Sequence, residues 1–268
     1  MRDGYVSAIK TMMKFGMADH EYHDPFARGV LRYPATLAMS KPRAEITLDV
    51  LNKCFELGVA SGCLDTAMLP LLAGLTSRRL GLLLYLRGSD IRNRDGVWVA
   101  QTAGIVFDGQ RWRRAPIKTQ DSMTFFVLHE FLDEIGFIEW ARAQEDRWLF
   151  AAAHERSDPA KYMSQLVNRL LKRAGAAGGN TEVFHSLRGD AIATMRSKNV
   201  DGRTRRLQAG HAVGLDEHEL YGFRSLSHEQ CVKLARLELD PRLDRSVFLG
   251  LDFDALSKAR RARGRPPR

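Results

Sequence analysis

Three short motifs near the C-terminal end of the chain constrain its fold more than any other feature. His185 and Arg188 stand three residues apart, Gly210-His211 follows, and Tyr221 comes ten residues after the second histidine. On the first turn of a helix, a spacing of three puts two side chains on one face. Residues 189–198 include apolar side chains and no proline, which predicts that this helix continues and packs inward. A fold that uses the motifs together has to bring their segments to one pocket.

The residue types in these motifs suit one kind of chemistry, in-line displacement at a phosphodiester. The negative charge of the transition state lies on the non-bridging oxygens, which planar guanidinium groups bind bidentately in place of a metal ion. A tyrosine phenol has a reference pKa of about 10 and needs nearby cations and a histidine to lose its proton. The motifs therefore predict a nucleophilic Tyr221 beside Arg188, with no cofactor and no metal.

The order and spacing resemble the C-terminal signature of the tyrosine recombinases, also called phage-type integrases. Arg188 and His211 are 23 positions apart, close to the family spacing. The resemblance implies the family's catalytic domain, which is mainly α with a small antiparallel β-sheet (α+β). It also implies a site-specific recombinase that cleaves and rejoins DNA through a 3′-phosphotyrosyl link to Tyr221. His185 would assist proton transfer from the phenol, and His211 would donate to the phosphate.

The family's first arginine lies further upstream, after a helix and a turn. Residues 71–91 have that shape, and counting back from Asp90 places this arginine at Arg79, with Arg78 as the alternative one position earlier. The family's glycine two positions before the arginine is Ser77 here, and its glutamate three positions after is Leu82. The missing acid leaves open what supports Arg79.

The family also uses a lysine, on a β-hairpin, to protonate the leaving 5′ oxygen. Residues 97–100, 104–107 and 112–117 alternate or cluster as strands do, with Asp-Gly turn signals between strands. Just beyond them, Lys118-Thr119-x-x-Ser122 resembles the family's Lys-Thr-x-x-Ser stretch, which implies that Lys118 is the acid. A shorter alignment anchored on Pro116 places Asp108 there instead and leaves no lysine.

The sequence divides into three parts. Residues 1–45 resemble the last helix of a core-binding domain and a linker, so most of that domain is expected to be missing. Residues 46–239 form the catalytic domain, and 240–268 are a C-terminal extension with a basic, disordered tail. Apolar periodicity predicts helices at 51–55, 68–75, 160–174 and 226–239, and a strand passing into a helix over 123–136. In the family, the segment after the tyrosine often docks on a neighbouring protomer.

The charge is concentrated at the C-terminal end. The chain carries a net charge of +9, and residues 258–268 hold six Lys or Arg and no acid, which leaves +3 for the rest. This favours a polyanionic partner. Arg263 and Arg265 flank a glycine in a stretch that resembles an AT-hook, so we expect them and Arg261 to contact DNA, either in the minor groove or through phosphates.

The expected partners are double-stranded DNA and three further copies of the chain, as a homo-tetramer on DNA; accessory DNA-bending proteins are compatible with the family. No apolar run reaches the length of a membrane span. The three cysteines are odd in number and lack metal-site spacing, which indicates reduced buried thiols in a cytoplasmic, nucleoid-associated protein. Two alternative functions stay open, a decayed or regulatory homologue that binds DNA without cutting and a nicking-closing enzyme like type IB topoisomerases.

Overall fold

The structure is a computed structural model that describes residues 44–107, 110–117, 120–177, 182–213 and 225–260, together with 8–9, 11–13 and 15–17 near the start. The chain divides into two compact units, Met1–Lys41 and Pro42–Arg268. The described residues of the first unit are helical, as the apolar periodicity of this stretch predicts.

The second unit is mainly helical. Three helices precede its sheet, α1 (Leu48–Ala60), α2 (Leu64–Thr76) and α3 (Leu80–Leu84). The helices that follow the sheet are α4 (Glu130–Glu134), α5 (Phe137–Arg142), α6 (Ala151–His154), α7 (Pro159–Arg173), α8 (Phe184–Ser197), α9 (Gly202–Ala209), α10 (His228–Ala235) and α11 (Phe253–Lys258). Short 3-10 turns lie at Gly88–Asp90, Gln120–Met123 and Ser246–Phe248. No described helix is long and apolar enough to cross a membrane.

In the part of the chain that the structure describes, five short strands form two antiparallel sheets. The strands are β1 (Ile91–Arg94), β2 (Val97–Ala100), β3 (Ile105–Phe107), β4 (Trp112–Arg114) and β5 (Phe126–Val127). One sheet has the order β1-β2-β5, and β3 pairs with β4 in the other. Arg94 pairs with Val97, so Asp95 and Gly96 form a two-residue hairpin loop. Their φ values of 52° and 85° are those that a type I′ turn requires.

The predicted α+β class is confirmed. The predicted helices at 51–55 and 68–75 lie within α1 and α2, the predicted helix at 160–174 matches α7 to within one residue at its end, and the predicted strand and helix over 123–136 are β5 and α4. Helix α7 begins where the sequence provides a cap, since the Asp158 side chain accepts a hydrogen bond from the Lys161 amide and Pro159 occupies the first turn.

The main core surrounds α2, in which nearly every residue is buried. A helix that is apolar all round has to be covered on all sides, and α1, α7 and α8 pack against this one. The turn at Ser77 follows α2 directly, so the packing of α2 also fixes the position of this turn. Leu82 is 2% exposed and belongs to this core.

A second, smaller core lies between the sheet and α10. Cys231 and Leu234 of α10 pack there with Val99 of β2 and Val127 of β5. Helix α10, which lies within the helix predicted at 226–239, therefore packs on the body of the chain through its apolar side chains. Residues 240–260, which follow α10, belong to the same unit, and their side chains Phe248 and Phe253 lie in the main core.

Candidate functional site

The turn between α2 and α3 determines how the two adjacent arginines are placed. Ser77 has a φ of 58° and ends α2 in a left-handed conformation, which explains why glycine is usual at this position. The Ser77 hydroxyl donates to the Arg188 carbonyl over 3.1 Å, so the serine ties the turn to α8. This contact joins segments that are 111 residues apart in the chain.

Arg78 and Arg79 differ in burial and in the number of their hydrogen bonds. Arg78 is 1% exposed, and its guanidinium donates to the carbonyls of Ser122 and Leu207 over 2.8 and 2.9 Å. Arg79 is half-buried. Its Nη1 donates to the Ser122 hydroxyl over 2.5 Å and to the Gly210 carbonyl over 3.4 Å. Among the described residues, Arg79 is therefore held by a hydroxyl and a carbonyl.

His185 and Arg188 lie on the first turns of α8, as their spacing predicts. The Phe184 amide donates to the Asn168 side-chain oxygen over 2.8 Å, so a residue of α7 caps the start of α8. His185 is exposed, whereas Arg188 is 3% exposed. The cap fixes the rotation of α8 and hence the placement of both side chains.

The Arg188 guanidinium is buried without hydrogen bonds at its terminal nitrogens. Neither Nη1 nor Nη2 has a partner among the described residues. Burial, and then the charge of Arg79, lowers the pKa of Arg188 to about 10. An unsatisfied buried polar group destabilises a fold by about 1–3 kcal/mol, and a charged one by more. This guanidinium is therefore suited to receive an anion from outside the chain.

His211 follows a left-handed turn at Gly210, whose φ is 64°. Burial, and then the positive charges of Arg188, Arg79, His185 and Arg78, lowers the pKa of His211 to about 4. These charges act on His211 only because the three motifs lie close together. In the absence of an anion, His211 is consequently neutral at pH 7.

A cleft of about 490 Å³ opens between α7, α8 and the Ser77 turn, within the size range of small-ligand sites. No carboxylate is found among its described lining residues, which are Arg78, Arg79, Leu80, Ala160, Ser164, Asn168, Val183, Phe184, His185 and Arg188. Within the described ranges, no group of His, Cys, Asp or Glu side chains could hold a metal ion. The uncompensated positive charge makes the cleft a candidate anion-binding site.

The structure thus brings together Arg79, His185, Arg188 and His211. Lys118 and Tyr221 lie outside the described residues, as do Asp108 and the tail arginines Arg261, Arg263 and Arg265. Their roles stay predictions.

Sequence reasoning missed two residues that support the site, Ser122 and Asn168. Ser122 is part of the Lys-Thr-x-x-Ser stretch, but in the sequence this serine only helped to identify Lys118 and indicated no role of its own. Asn168 gave no signal, because its cap joins two helices that are separated by a loop.

Solved structures that are similar to this chain include two of lambda integrase. One is a crystal structure of a lambda integrase tetramer bound to a Holliday junction, with 15% identity and a TM-score of 0.49 over 82% of this chain and 59% of that chain. The other is a lambda integrase(75-356) dimer bound to a COC′ core site, also with 15% identity and a TM-score of 0.49, over 87% of this chain and 73% of that chain. Neither a family model nor a curated relative matches the sequence.

Proposed function

We propose that this chain is a site-specific DNA recombinase that cleaves and rejoins DNA through a tyrosine. The observation that supports this most is the Arg188 guanidinium, buried and without a described partner at either terminal nitrogen. Arg79 and two histidines lie beside it, and no described lining residue is an acid. A phosphodiester oxygen would supply the hydrogen-bond acceptors and the negative charge that this pocket lacks.

The two arginines would act on the non-bridging oxygens of the scissile phosphate. Negative charge develops there in the transition state, and preorganised donors stabilise it strongly. Arg79 is already oriented by Ser122 and Gly210, so little reorganisation accompanies binding. Neutral His211 would donate a hydrogen bond to the same phosphate.

The bond changes rest on the motif resemblance. The phenolic oxygen of Tyr221 attacks the phosphorus, and the phenol proton leaves with assistance from His185. The bond from phosphorus to the 5′ oxygen breaks, and Lys118 protonates that oxygen. One phosphodiester is exchanged for another, so a 5′ hydroxyl from a second strand reverses the attack without a nucleotide cofactor. The working assembly in this proposal is a homo-tetramer on double-stranded DNA, in a cytoplasmic, nucleoid-associated protein.

Covalent trapping tests the proposal. We expect the chain to form a protein–DNA adduct that survives denaturation when it is incubated with nicked duplexes of randomised sequence. Tyr221→Phe should form none, because the nucleophilic oxygen is gone. Tyr162→Phe is the matched control, since it removes a phenol from α7 and should leave the adduct yield unchanged.

Three results would contradict the proposal. An adduct with Tyr221→Phe would assign the nucleophile elsewhere. DNA binding without any adduct would favour the non-cleaving homologue. Relaxation of supercoiled plasmid without strand exchange would favour the nicking-closing enzyme.

A further inference from the structure

We propose that Arg78 is a positioning residue that holds the Gly210-His211 turn and the Ser122 segment in register with Arg79. The effect of Arg78 on catalysis rests on the proposed function, whereas its effect on the geometry of the site does not depend on that function.

The Arg78 guanidinium joins three segments of the chain. From the Ser77 turn, Nη1 donates to the Ser122 carbonyl over 2.8 Å. Nη2 donates to the Phe125 carbonyl over 3.2 Å and to the Leu207 carbonyl over 2.9 Å. One side chain therefore links the turn before α3, the segment that enters β5, and the last turn of α9.

These contacts require a guanidinium. Arg78 carries several donors in a rigid planar fork, whereas a lysine carries one nitrogen and cannot reach all three carbonyls together. The group lies over the Phe126 ring at 4.6 Å. Each hydrogen-bond acceptor described for it is a carbonyl or the Thr124 hydroxyl, and one of these carbonyls belongs to the negative end of α9.

The segments that Arg78 joins are those that orient the site. Ser122 provides the hydroxyl for Arg79, and Gly210 provides a carbonyl for the same side chain. His211 is the next residue, and its amide donates to the Arg206 carbonyl over 2.9 Å. Displacing Arg78 would therefore loosen Arg79 and His211 together.

Gly210 lies against this guanidinium so closely that no side chain fits between them. A Cβ at Gly210 would lie 2.4 Å from Nη1 of Arg78 and 3.0 Å from the Cα of Ser122. Gly62 has a similar φ of 66°, but a Cβ there would meet nothing within 4 Å. Gly62→Ala thus reproduces the backbone strain of Gly210→Ala without displacing Arg78.

The experiment compares Arg78→Lys, Gly210→Ala and the control Gly62→Ala with the wild-type chain. In the free protein, we expect amide hydrogen exchange at His211 to become roughly 10-fold faster in the first two variants, because the turn opens locally. We expect their rate of adduct formation to fall about 100-fold through misplacement of the site. DNA affinity should fall by no more than about 3-fold, since the variants loosen only the phosphate contacts of Arg79 and His211 and leave those of Arg188 and the tail arginines in place. Gly62→Ala should match the wild type in all three measurements.

The proposal is overturned if exchange at His211 is unchanged in Arg78→Lys and Gly210→Ala. It is also overturned if affinity and adduct rate fall in parallel, which would make Arg78 a DNA-binding or purely structural residue. If Arg78→Lys does not fold, Gly210→Ala decides the question, because it leaves Arg78 in the chain. A wild-type chain without any adduct would refute the proposed function, and the exchange rates would still test the positioning role.

Discussion

At the scale of single residues, two neighbouring arginines have opposite roles because of one backbone angle. The left-handed conformation of Ser77 turns the chain so that Arg78 is buried among carbonyl groups and Arg79 is only half-buried at the cleft. The sequence alone does not decide which of the two arginines belongs to the site, because their distances along the chain to the other motifs differ by only one residue. His185 and Arg188 were predictable, because a separation of three on a helix fixes a shared face.

The pKa of His211 leads to a prediction for acid stability. In the unfolded chain His211 takes up its proton near its ordinary pKa of 6.5, and in the folded chain near 4. Between these two values only the unfolded chain binds the proton, so folding stability decreases as the pH falls from about 6.5 to about 4. We expect His211→Gln to lose less stability over that window. Urea unfolding midpoints at pH 7 and pH 5 measure this, and equal losses in both proteins would contradict it.

At the scale of elements, the junction between α7 and α8 orients the cleft. Asn168 on α7 lines the cleft and accepts the hydrogen bond of the first amide of α8. The Asn168 side chain therefore belongs both to the helix cap and to the candidate anion site. Different substitutions of Asn168 can test these two roles separately.

Two substitutions of Asn168 should have opposite effects on stability. Asn168→Ala removes the cap and should lower the free energy of unfolding by about 1 kcal/mol. Asn168→Asp keeps an acceptor for the Phe184 amide and adds a carboxylate to a cleft that contains Arg188, whose terminal nitrogens have no described partner, so it should stabilise the fold and abolish DNA cleavage. Chemical unfolding and adduct yield measure the two effects. An Asn168→Asp variant that is less stable than the wild type would refute the unpaired state of Arg188.

The packing of α10 on its own chain can be tested through Cys231. This thiol is 2% exposed, and burial raises its pKa, so both access and thiolate formation are restricted. We expect Cys231 to resist alkylation in dilute protein, as followed by mass spectrometry of the α10 peptide. Rapid labelling that slows with protein concentration would instead indicate docking on a second copy.

At the scale of the whole molecule, the basic C-terminal run and the candidate site occupy different parts of the sequence. Four arginines lie in residues 261–268, at the end of the chain, whereas the cleft depends on buried side chains. In the proposed function, the tail arginines increase the affinity for DNA, and the residues of the cleft carry out DNA cleavage. Replacing these four arginines with serine should reduce the slope of log affinity against log salt by up to about 3–4.

The salt dependence separates the two contributions. Arg188→Met should change the same slope by about 1, while it abolishes the adduct. Fluorescence anisotropy over a series of salt concentrations measures both slopes. If the serine tail leaves the slope unchanged, the tail arginines do not contact phosphates.

Much of the second unit could be predicted from its sequence. Apolar periodicity gave α1, α2 and α7, and the Asp95-Gly96 turn gave the first hairpin. The spacing of His185 and Arg188 indicated that these two side chains face one cleft. Long-range side-chain contacts could not be predicted in this way: the hydrogen bond from Ser77 to α8 and the links of Arg78 join residues that are distant in the chain and leave no local pattern.

The central claim is that Arg188, which is buried and has no partner at its terminal nitrogens among the described residues, binds phosphate, and thermal unfolding of Arg188→Met tests it most directly. In phosphate-free buffer, the account predicts a higher Tm for the variant than for the wild type, because replacing an unpaired buried charge with an apolar side chain adds about 1–3 kcal/mol. Added orthophosphate should raise the Tm of the wild type much more than that of the variant. A variant that melts below the wild type, with an equal response to phosphate, would contradict the account.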